Sequence, residues 1–424
     1  MTRRFDAVVV GAGPAGASAA ILLARAGWSV ALVERQRFPR RKVCGECVAA
    51  SNLPLLDALG VGAAFDRLAG AELRRVALWQ GGRSIVCDLP AAEDAGAGRR
   101  FGRALGREHL DTLLVAQAEA AGAALLQPMA LHSIDGTAGR FRLRLRPQGG
   151  SDDATRDGAD LDIDAGLVVA AHGSWEPLPS ERAQRRHERS PSDLFAFKAN
   201  YRHADIAPDL LPVLSFGGGY GGMVVADDGI ATLAGCIRDD RLGRARADQA
   251  GARAGDVFEQ ILRGQCAAVS QALQGATRIG PWLATGPIRP GVRLGQGDGV
   301  FRIGNAAGEA HPIVGEGISM AVQSAFLLAS LLVPERAASA DTPASAAVQR
   351  RLLQAHEALW RRRFARRLKV AATFAHLAMR PRPTALAWPL LSRWPGVLGQ
   401  GARWSGKTRC APEAMQFLAG SPAI

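Results

Sequence analysis

The first forty residues constrain the fold more than any other stretch of the chain. Phe5–Val10 (FDAVVV) runs into Gly11-Ala12-Gly13-Pro14-Ala15-Gly16, continues as an alanine-rich segment and returns as Ser29–Glu34 (SVALVE). That order predicts a strand, a glycine turn, a helix and a second strand closed by an acid. The three glycines serve different needs. Gly11 makes the tight turn, Gly13 lets the backbone approach a pyrophosphate, and Gly16 lets the helix pack on the sheet. The helix start, from Ala12 to Ala15, then turns its positive dipole end toward the phosphates. Glu34 ends the second strand, where a carboxylate accepts hydrogen bonds from an adenosine ribose. A glycine-rich loop in another doubly wound fold would share the turn, but the whole context points to a dinucleotide site.

At 424 residues, 48% hydrophobic and 21% charged, the chain buries a large core in two or three lobes. Only Met1–Arg4 precede the first strand, too few for a targeting peptide, and no apolar run approaches the roughly 20 residues that span a bilayer. The expected location is cytoplasmic, with contact at the inner face of the membrane as a further possibility. Six cysteines in this length form no disulfide framework. Cys44 and Cys47 are the one close pair, without the second pair that zinc requires, so no metal is expected, and their spacing does not match that of a redox dithiol relay. The net charge of +13 is concentrated after residue 340, where fourteen Lys and Arg face three acids. These charges lie on helix-like sequence without a nucleic-acid motif, so nucleic acid is not an expected partner.

Arg35–Glu46 (RQRFPRRKVCGE) reads as a loop in which Arg35 and Lys42 neutralise a pyrophosphate and Cys44-Gly45 passes close to a planar ligand; a solvated basic loop is the alternative. Next come a short helix, Leu53–Leu59, a hairpin of Leu73–Trp79 with Ser84–Leu89, a helix, Arg107–Ala121, and strands at Ala124–Leu126 and Phe141–Arg146. Gly149–Gly158 is polar and loop-like. Leu161–Ala171 reads as a buried strand ending in His172-Gly173-Ser174, with His172 a packed rather than a catalytic residue. Between Trp175 and Pro290 the strand signals are Phe195–Tyr201, Val213–Phe216, Gly222–Ala226 and Ile230–Ile237, with Asp228-Gly229 as a hairpin turn and one helix, Ala254–Leu273. An inserted antiparallel sheet walling a substrate pocket is expected there. In Val300–Ala321 a strand ends in Gly304-Asn305, a loop carries Pro312, and Gly315 and Gly317 precede an apolar helix, Ile318–Val333. Free backbone N–H groups at such a helix start suit the negative charge of a reduced flavin.

The glycine fingerprint, Arg107 with Leu110-Asp111-Thr112-Leu113-Leu114 behind it, and the GN-AAGEAHP-IVGEGIS block resemble the FAD-dependent aromatic hydroxylase and geranylgeranyl reductase superfamily over residues 1 to about 340. The resemblance implies an α/β fold: a Rossmann-like FAD-binding domain, an inserted antiparallel-sheet substrate domain and a C-terminal helical segment. The expected division is 1–70, 96–174 and 291–340 for the FAD-binding domain, 71–95 and 175–290 for the substrate domain, and 341–424 for the basic helical region. It further implies that Arg107 contacts FAD, that Leu131 holds the adenine through its backbone, that Asn305 binds the ribityl chain, and that Gly315, Gly317 and Ile318, with Pro312, lie along the flavin ring. Asn305 stands where the family has Asp, His172-Gly173 where the hydroxylases have Asp-Gly, and Ser319 where the family has Asn. The RKVCGE loop is similar to the reductase and halogenase branches, yet the Trp-x-Trp-x-Ile signature of halogenases is absent and Gly219–Met223 occupies the comparable stretch.

Three functions follow from the resemblance. A monooxygenase would use NAD(P)H and O2, through a flavin hydroperoxide, to hydroxylate or epoxidise a small aromatic, polyketide-like or lipophilic substrate. A reductase would saturate an isoprenoid double bond. A recruitment subunit would bind flavin without turnover. Glu309, His311 and Glu316 flank Pro312 and are the candidate catalytic residues, solvent-facing loop acids being the alternative for the two glutamates. Gln349–Lys369 has the pattern of an amphipathic helix whose apolar stripe packs on the FAD-binding lobe with its arginines solvated, or docks on a membrane, and the Trp-, Pro- and Arg-rich segment 381–409 has the composition of a membrane interface.

Overall fold

The computed structural model describes residues 3–92, 99–149, 159–174, 177–179, 190–249, 251–338 and 345–420. Of the polar loop expected at 149–158, all but Gly149 lies outside them. Two seven-stranded sheets organise the chain. In the first, Arg3–Val10 pairs in parallel with Val30–Val33 on one side and Leu161–Ala170 on the other. Ala124–Leu126 extends one edge, Phe301–Arg302 joins Leu161–Ala170, and the antiparallel pair Met129–Thr137 and Arg140–Pro147 continues the far edge. The central strand is apolar without alternation because both its faces are covered: Ala7 and Val9 pack under the helices, and Val8 and Val10 pack with Leu131, Phe141, Leu143 and Leu178 of the same lobe, leaving Ala7, Val8 and Val9 fully buried. Pro14–Arg25 and Gly317–Ala338 pack together on one face in a shared core.

The second sheet runs in the order Thr277–Ile288, Leu194–Arg202, Ala231–Arg238, Gly219–Val225, Leu210–Phe216, Arg75–Gln80, Arg83–Asp88. All its pairings are antiparallel except that of Leu210–Phe216 with Arg75–Gln80. Asp228 and Gly229 make the tight connection with φ of 52° and 70°, as their sequence led us to expect. Thr277–Ile288 carries no strand signal in the sequence because Gly280, Pro281, Gly286 and Pro287 interrupt it. It is an edge strand with two register shifts, the position that tolerates proline. The single helix expected at 254–273 is two, Ala254–Gln265 and Ala267–Ala272. Cys266 is extended between them where the Gly81 carbonyl accepts the Ala267 N–H at 2.9 Å.

One further expectation needs correction. Gly317–Arg336 is long and apolar enough to cross a bilayer, contrary to the expectation that no such run exists, but 72% of it is buried in the protein, where Ser319, Gln323 and Ser324 are also enclosed. Its apolarity belongs to the core. Gln349–Lys369 is the middle of a 33-residue helix, Ala346–Ala378, which buries Leu352, Leu359, Trp360, Phe364 and Leu368 against the first lobe. Pro381–Arg393, Gly396–Ser405 and Pro412–Gly420 follow.

One buried carboxylate fastens the two sheets. Glu46, at a left-handed φ of 59°, forms an ion pair with Lys198 of the second sheet and accepts hydrogen bonds from Thr232 Oγ1 (2.5 Å) and the Arg107 N–H (3.0 Å). Lys198→Met would leave that carboxylate buried without its cation, and we expect a loss of about 3–5 kcal/mol. Urea denaturation checks this; a loss below about 1 kcal/mol would mean the pair behaves like an exposed one.

Candidate active site

The three fingerprint glycines are held to different standards by the protein itself. A Cβ at Gly11, whose φ is 102°, would fall 2.5 Å from the Ala171 carbonyl oxygen, and one at Gly16 would fall 1.8 Å from that of Gly11. At Gly13 the backbone is ordinary, φ −76° and ψ −175°, and a Cβ would meet only Arg107 Nη2 at 3.6 Å. Protein packing therefore demands glycine at the first and third positions and leaves the second to a ligand. Gly13 is also the helix N-cap without a side-chain cap, and Pro14 follows, so the first-turn N–H groups have no intrahelical acceptor. The site thus fits a pyrophosphate.

Around this turn lies a buried chain of charges. Glu34 accepts the Ala12 N–H at 3.1 Å, the Gln36 N–H at 3.1 Å and Arg40 Nη2 at 3.2 Å. A carboxylate offers about four acceptor positions, which leaves one for a ribose hydroxyl. Arg40 also donates to Asp111 Oδ2 at 2.8 Å, and Arg107 grips the same carboxylate through Nε and Nη2, both at 2.7 Å. Burial disfavours the Arg107 charge, but Asp111 more than offsets this and holds the guanidinium well above its ordinary pKa. Arg40, one arginine among several in a loop read as pyrophosphate-neutralising, is committed to this network. Arg35, Lys42 and Cys44 line the cavity beside it, Arg35 exposed and the other two half-buried. Burial pushes the neighbouring Cys47 thiol up to about 12, so it stays protonated.

The cavity runs from the glycine turn past Leu131 and Asn305 to the second sheet, with a volume of about 880 Å³. Gly13, Pro14, Ala15, Pro312, Gly315, Gly317 and Ile318 also line it; Ala12 and Gly16 stand behind the turn. Asn305 Nδ2 donates to Ser174 Oγ (3.0 Å) and Glu309 Oε1 (3.4 Å), Ser174 Oγ donates to Glu309 Oε1 (2.7 Å), and Arg293 Nη2 closes on Glu309 Oε2 (2.7 Å). Glu309 and His311 line the cavity and are buried, whereas Glu316 sits behind the wall formed by Gly315 and Gly317. Neither glutamate is solvent-facing. Burial raises the Glu316 carboxyl above its ordinary pKa, partly offset by Lys407, whose Nζ is 3.7 Å away. His311 Nδ1 is 3.1 Å from the Tyr220 hydroxyl, and its ring packs edge-on against His376 with centroids 5.5 Å apart.

Sequence reading missed Glu46, Lys198 and Tyr220. Lys198 had a visible signal: it is one of only four lysines in the chain and interrupts the apolar strand LFAFKANYR, so it needs a buried partner.

A family model described as an FAD binding domain matches residues 4–226, more than half of the chain. The chain belongs to the FAD-binding-domain family. That match agrees with the resemblance to the FAD-dependent aromatic hydroxylase superfamily read from the motifs, and the α/β architecture anticipated from the sequence is the observed one. It is 46% identical to a menaquinone reductase of Mycolicibacterium smegmatis over 66 residues, 16% of each protein. A tryptophan 2-halogenase of Chondromyces crocatus is 24% identical over 370 residues, 83% of this chain and 66% of that one. The curated relatives are thus matched over less than two thirds of their length. Among solved structures, the myxobacterial chondrochloren halogenase superposes with a TM-score of 0.70 at 17% identity, covering 98% and 96% of the two chains. A geranylgeranyl bacteriochlorophyll reductase-like protein of Thermoplasma acidophilum gives 0.68 at 19%, covering 100% and 97%. At these identities the structures share the fold.

Two outcomes are expected. Gly13→Val should fold normally by circular dichroism yet bind FAD at least about tenfold more weakly, about 1.4 kcal/mol, whereas Gly16→Val should not fold; full flavin content in purified Gly13→Val would overturn the pyrophosphate assignment. The second concerns pH. Burial, with His376 adjacent, holds His311 down at about 4, against 6.5 for the free side chain. Between those values the unfolded chain takes up a proton that the folded chain refuses, so stability present above pH 6.5 is lost as pH falls toward 4. Melting temperatures from pH 7.5 to 4.5 should therefore fall less steeply in His311→Asn than in the parent, and equal slopes would contradict a buried neutral imidazole.

Proposed function

We propose that this flavoprotein is a monooxygenase that hydroxylates or epoxidises a lipophilic substrate, taking electrons from NAD(P)H and oxygen from O2. The observation that carries this reading is the continuity of one cavity from the FAD turn into an apolar chamber lined by Leu78, Phe197, Met223, Leu283, Phe374 and Leu391. When bound, FAD supplies the redox chemistry; the chain supplies binding, orientation and a dry wall. In this reading Gly11–Gly16 and Arg107 would hold the pyrophosphate, with Arg35 and Lys42 adding positive charge. Glu34 would take the ribose, the Leu131 backbone the adenine, and Asn305 the ribityl chain. Cys44, Pro312, Gly315, Gly317 and Ile318 would bound the ring.

Glu309 holds Asn305 and Ser174 in place and is itself fixed by Arg293, which makes it a positioning residue. His311 and Tyr220 form the polar end of the chamber. A neutral His311 can accept from or donate to the Tyr220 hydroxyl, so the pair can hold a proton at the phenol oxygen. The same pair favours a second reading, saturation of a double bond, which needs a proton donor beside the hydride acceptor.

Oxygen-electrode and NAD(P)H-consumption assays with a panel of aromatic, polyketide and isoprenoid substrates separate the readings. A monooxygenase consumes O2 with NAD(P)H and places its oxygen in product. Turnover that persists anaerobically would establish reduction instead, and turnover dependent on bromide or chloride would establish halogenation. Tyr220→Phe should retain FAD and lower the rate about 10²-fold, an effect that Glu309→Gln should reproduce only together with weakened FAD binding.

A further inference from the structure

Part of the chamber wall is built by Pro381–Arg393 and Gly396–Ser405, and each of these short helices has opposite properties on its two sides. On Pro381–Arg393, Pro383, Thr384, Ala387 and Leu391 line the cavity, while Arg382, Leu386, Leu390 and Arg393, spaced by three or four residues, face outward. On Gly396–Ser405, Leu398, Gly401 and Ala402 line the cavity, while Arg403 and Trp404 are exposed. Leu386 is 83% exposed, and Trp394 and Trp404 are each 59% exposed. Of the nine large hydrophobic side chains that stand exposed among the described residues, six fall between Leu377 and Trp404. Scattered exposed leucines need no explanation, but this concentration does.

Charge indicates what covers it. Residues 358–412 contain twelve Lys and Arg and no Asp or Glu. Several of these cations are used internally: Arg363 pairs with Glu413, and Lys407 approaches Glu316. Arg382, Arg393 and Arg403 are exposed and make no ion pair among the described residues. An acid-free surface mixing arginine, leucine and tryptophan is the composition that partitions into the boundary between anionic headgroups and acyl chains. A second copy of the chain would bring the same uncompensated positive charge against itself. Leu377 and Val397 belong both to the exposed set and to the cavity lining, so the chamber opens at this face.

We propose that the outer faces of these two helices dock on an anionic lipid surface and that the chamber opens there. This is independent of which flavin reaction the chamber hosts. The test is cosedimentation of the full FAD-loaded protein with vesicles of phosphatidylglycerol and phosphatidylcholine, and with phosphatidylcholine alone, at 0.05 M and 0.5 M salt. We expect binding to the anionic vesicles at low salt, weakened at high salt because the screening length shrinks. Each arginine at the surface should contribute about fivefold to affinity, so Arg382→Glu with Arg393→Glu should reduce binding by at least roughly 25-fold. Leu386→Ser with Trp394→Ser should abolish the salt-resistant remainder. All four residues are exposed, and retention of bound FAD confirms that the variants are folded. Absence of binding to anionic vesicles at low salt would overturn the proposal. So would binding that survives both double substitutions, or a dimer that Leu386→Ser with Trp394→Ser dissociates.

Discussion

The Glu46–Lys198 pair is the interaction on which the relation between the two sheets depends. Taking two charges out of water is costly, and the attraction between them offsets that cost only where every remaining lone pair and proton is satisfied. Glu46 meets the condition by accepting from Thr232 on the second sheet and from the N–H of Arg107 at the start of its helix, while its own carbonyl accepts from Leu105. A non-glycine residue at φ 59° is strained, and this one is held by partners on three separate elements. The left-handed turn lies in the loop that lines the cavity, so the geometry near the glycine turn is tied to the second sheet. Asp227 repeats the arrangement nearby: it follows the strand Gly219–Val225 yet accepts the Gly106 N–H at 2.5 Å at the start of the Arg107 helix.

The cavity is graded along its length. Near the glycine turn, fixed charges are abundant but paired, with Glu34, Arg40, Asp111 and Arg107 forming an alternating chain in which each carboxylate faces a guanidinium. Toward the second sheet the titratable groups are held neutral: burial pushes Tyr220 well above its ordinary pKa and His311 down to about 4. A diphosphate needs positive charge and open N–H groups, whereas an apolar substrate beside a redox ring needs water kept out and any proton held on a neutral donor. Both demands are met in one continuous space because the first comes from loops of the parallel sheet and the second from the face of the antiparallel one.

The parts legible in the sequence were those whose physics is local. The turn Gly11–Gly16, the strand before it and the Asp228-Gly229 connection each follow from backbone preferences within a few residues. Thr277–Ile288 was illegible because its prolines and glycines are acceptable only at a sheet edge, and edge position is decided by distant strands. Cys266 breaks a helix because the tip of a hairpin nearly two hundred residues earlier bonds to the chain there. In the site, Asn305 and His311 stood out from their motif, but the partners that define them, Ser174, Arg293 and Tyr220, come from other segments. Gly13 was read as a ligand-demanded glycine on pattern alone; the space around it supplies the physical reason.

The C-terminal helices show why burial and exposure must be considered together. Closing the chamber requires only the inner faces of Pro381–Arg393 and Gly396–Ser405, and Trp388, stacked beneath Arg83 at 5.9 Å, already anchors the first of them to the hairpin of the second sheet. Nothing in that packing requires leucine at 386 or 390, or tryptophan at 394 and 404. Burying such side chains is worth about 1.5–3 kcal/mol each, a gain that an exposed position forgoes. Polar residues there would serve the fold equally well and favour solubility. The outer apolar residues are therefore unexplained by the stability of this chain alone, and the arginines between them define the kind of surface that would repay their exposure.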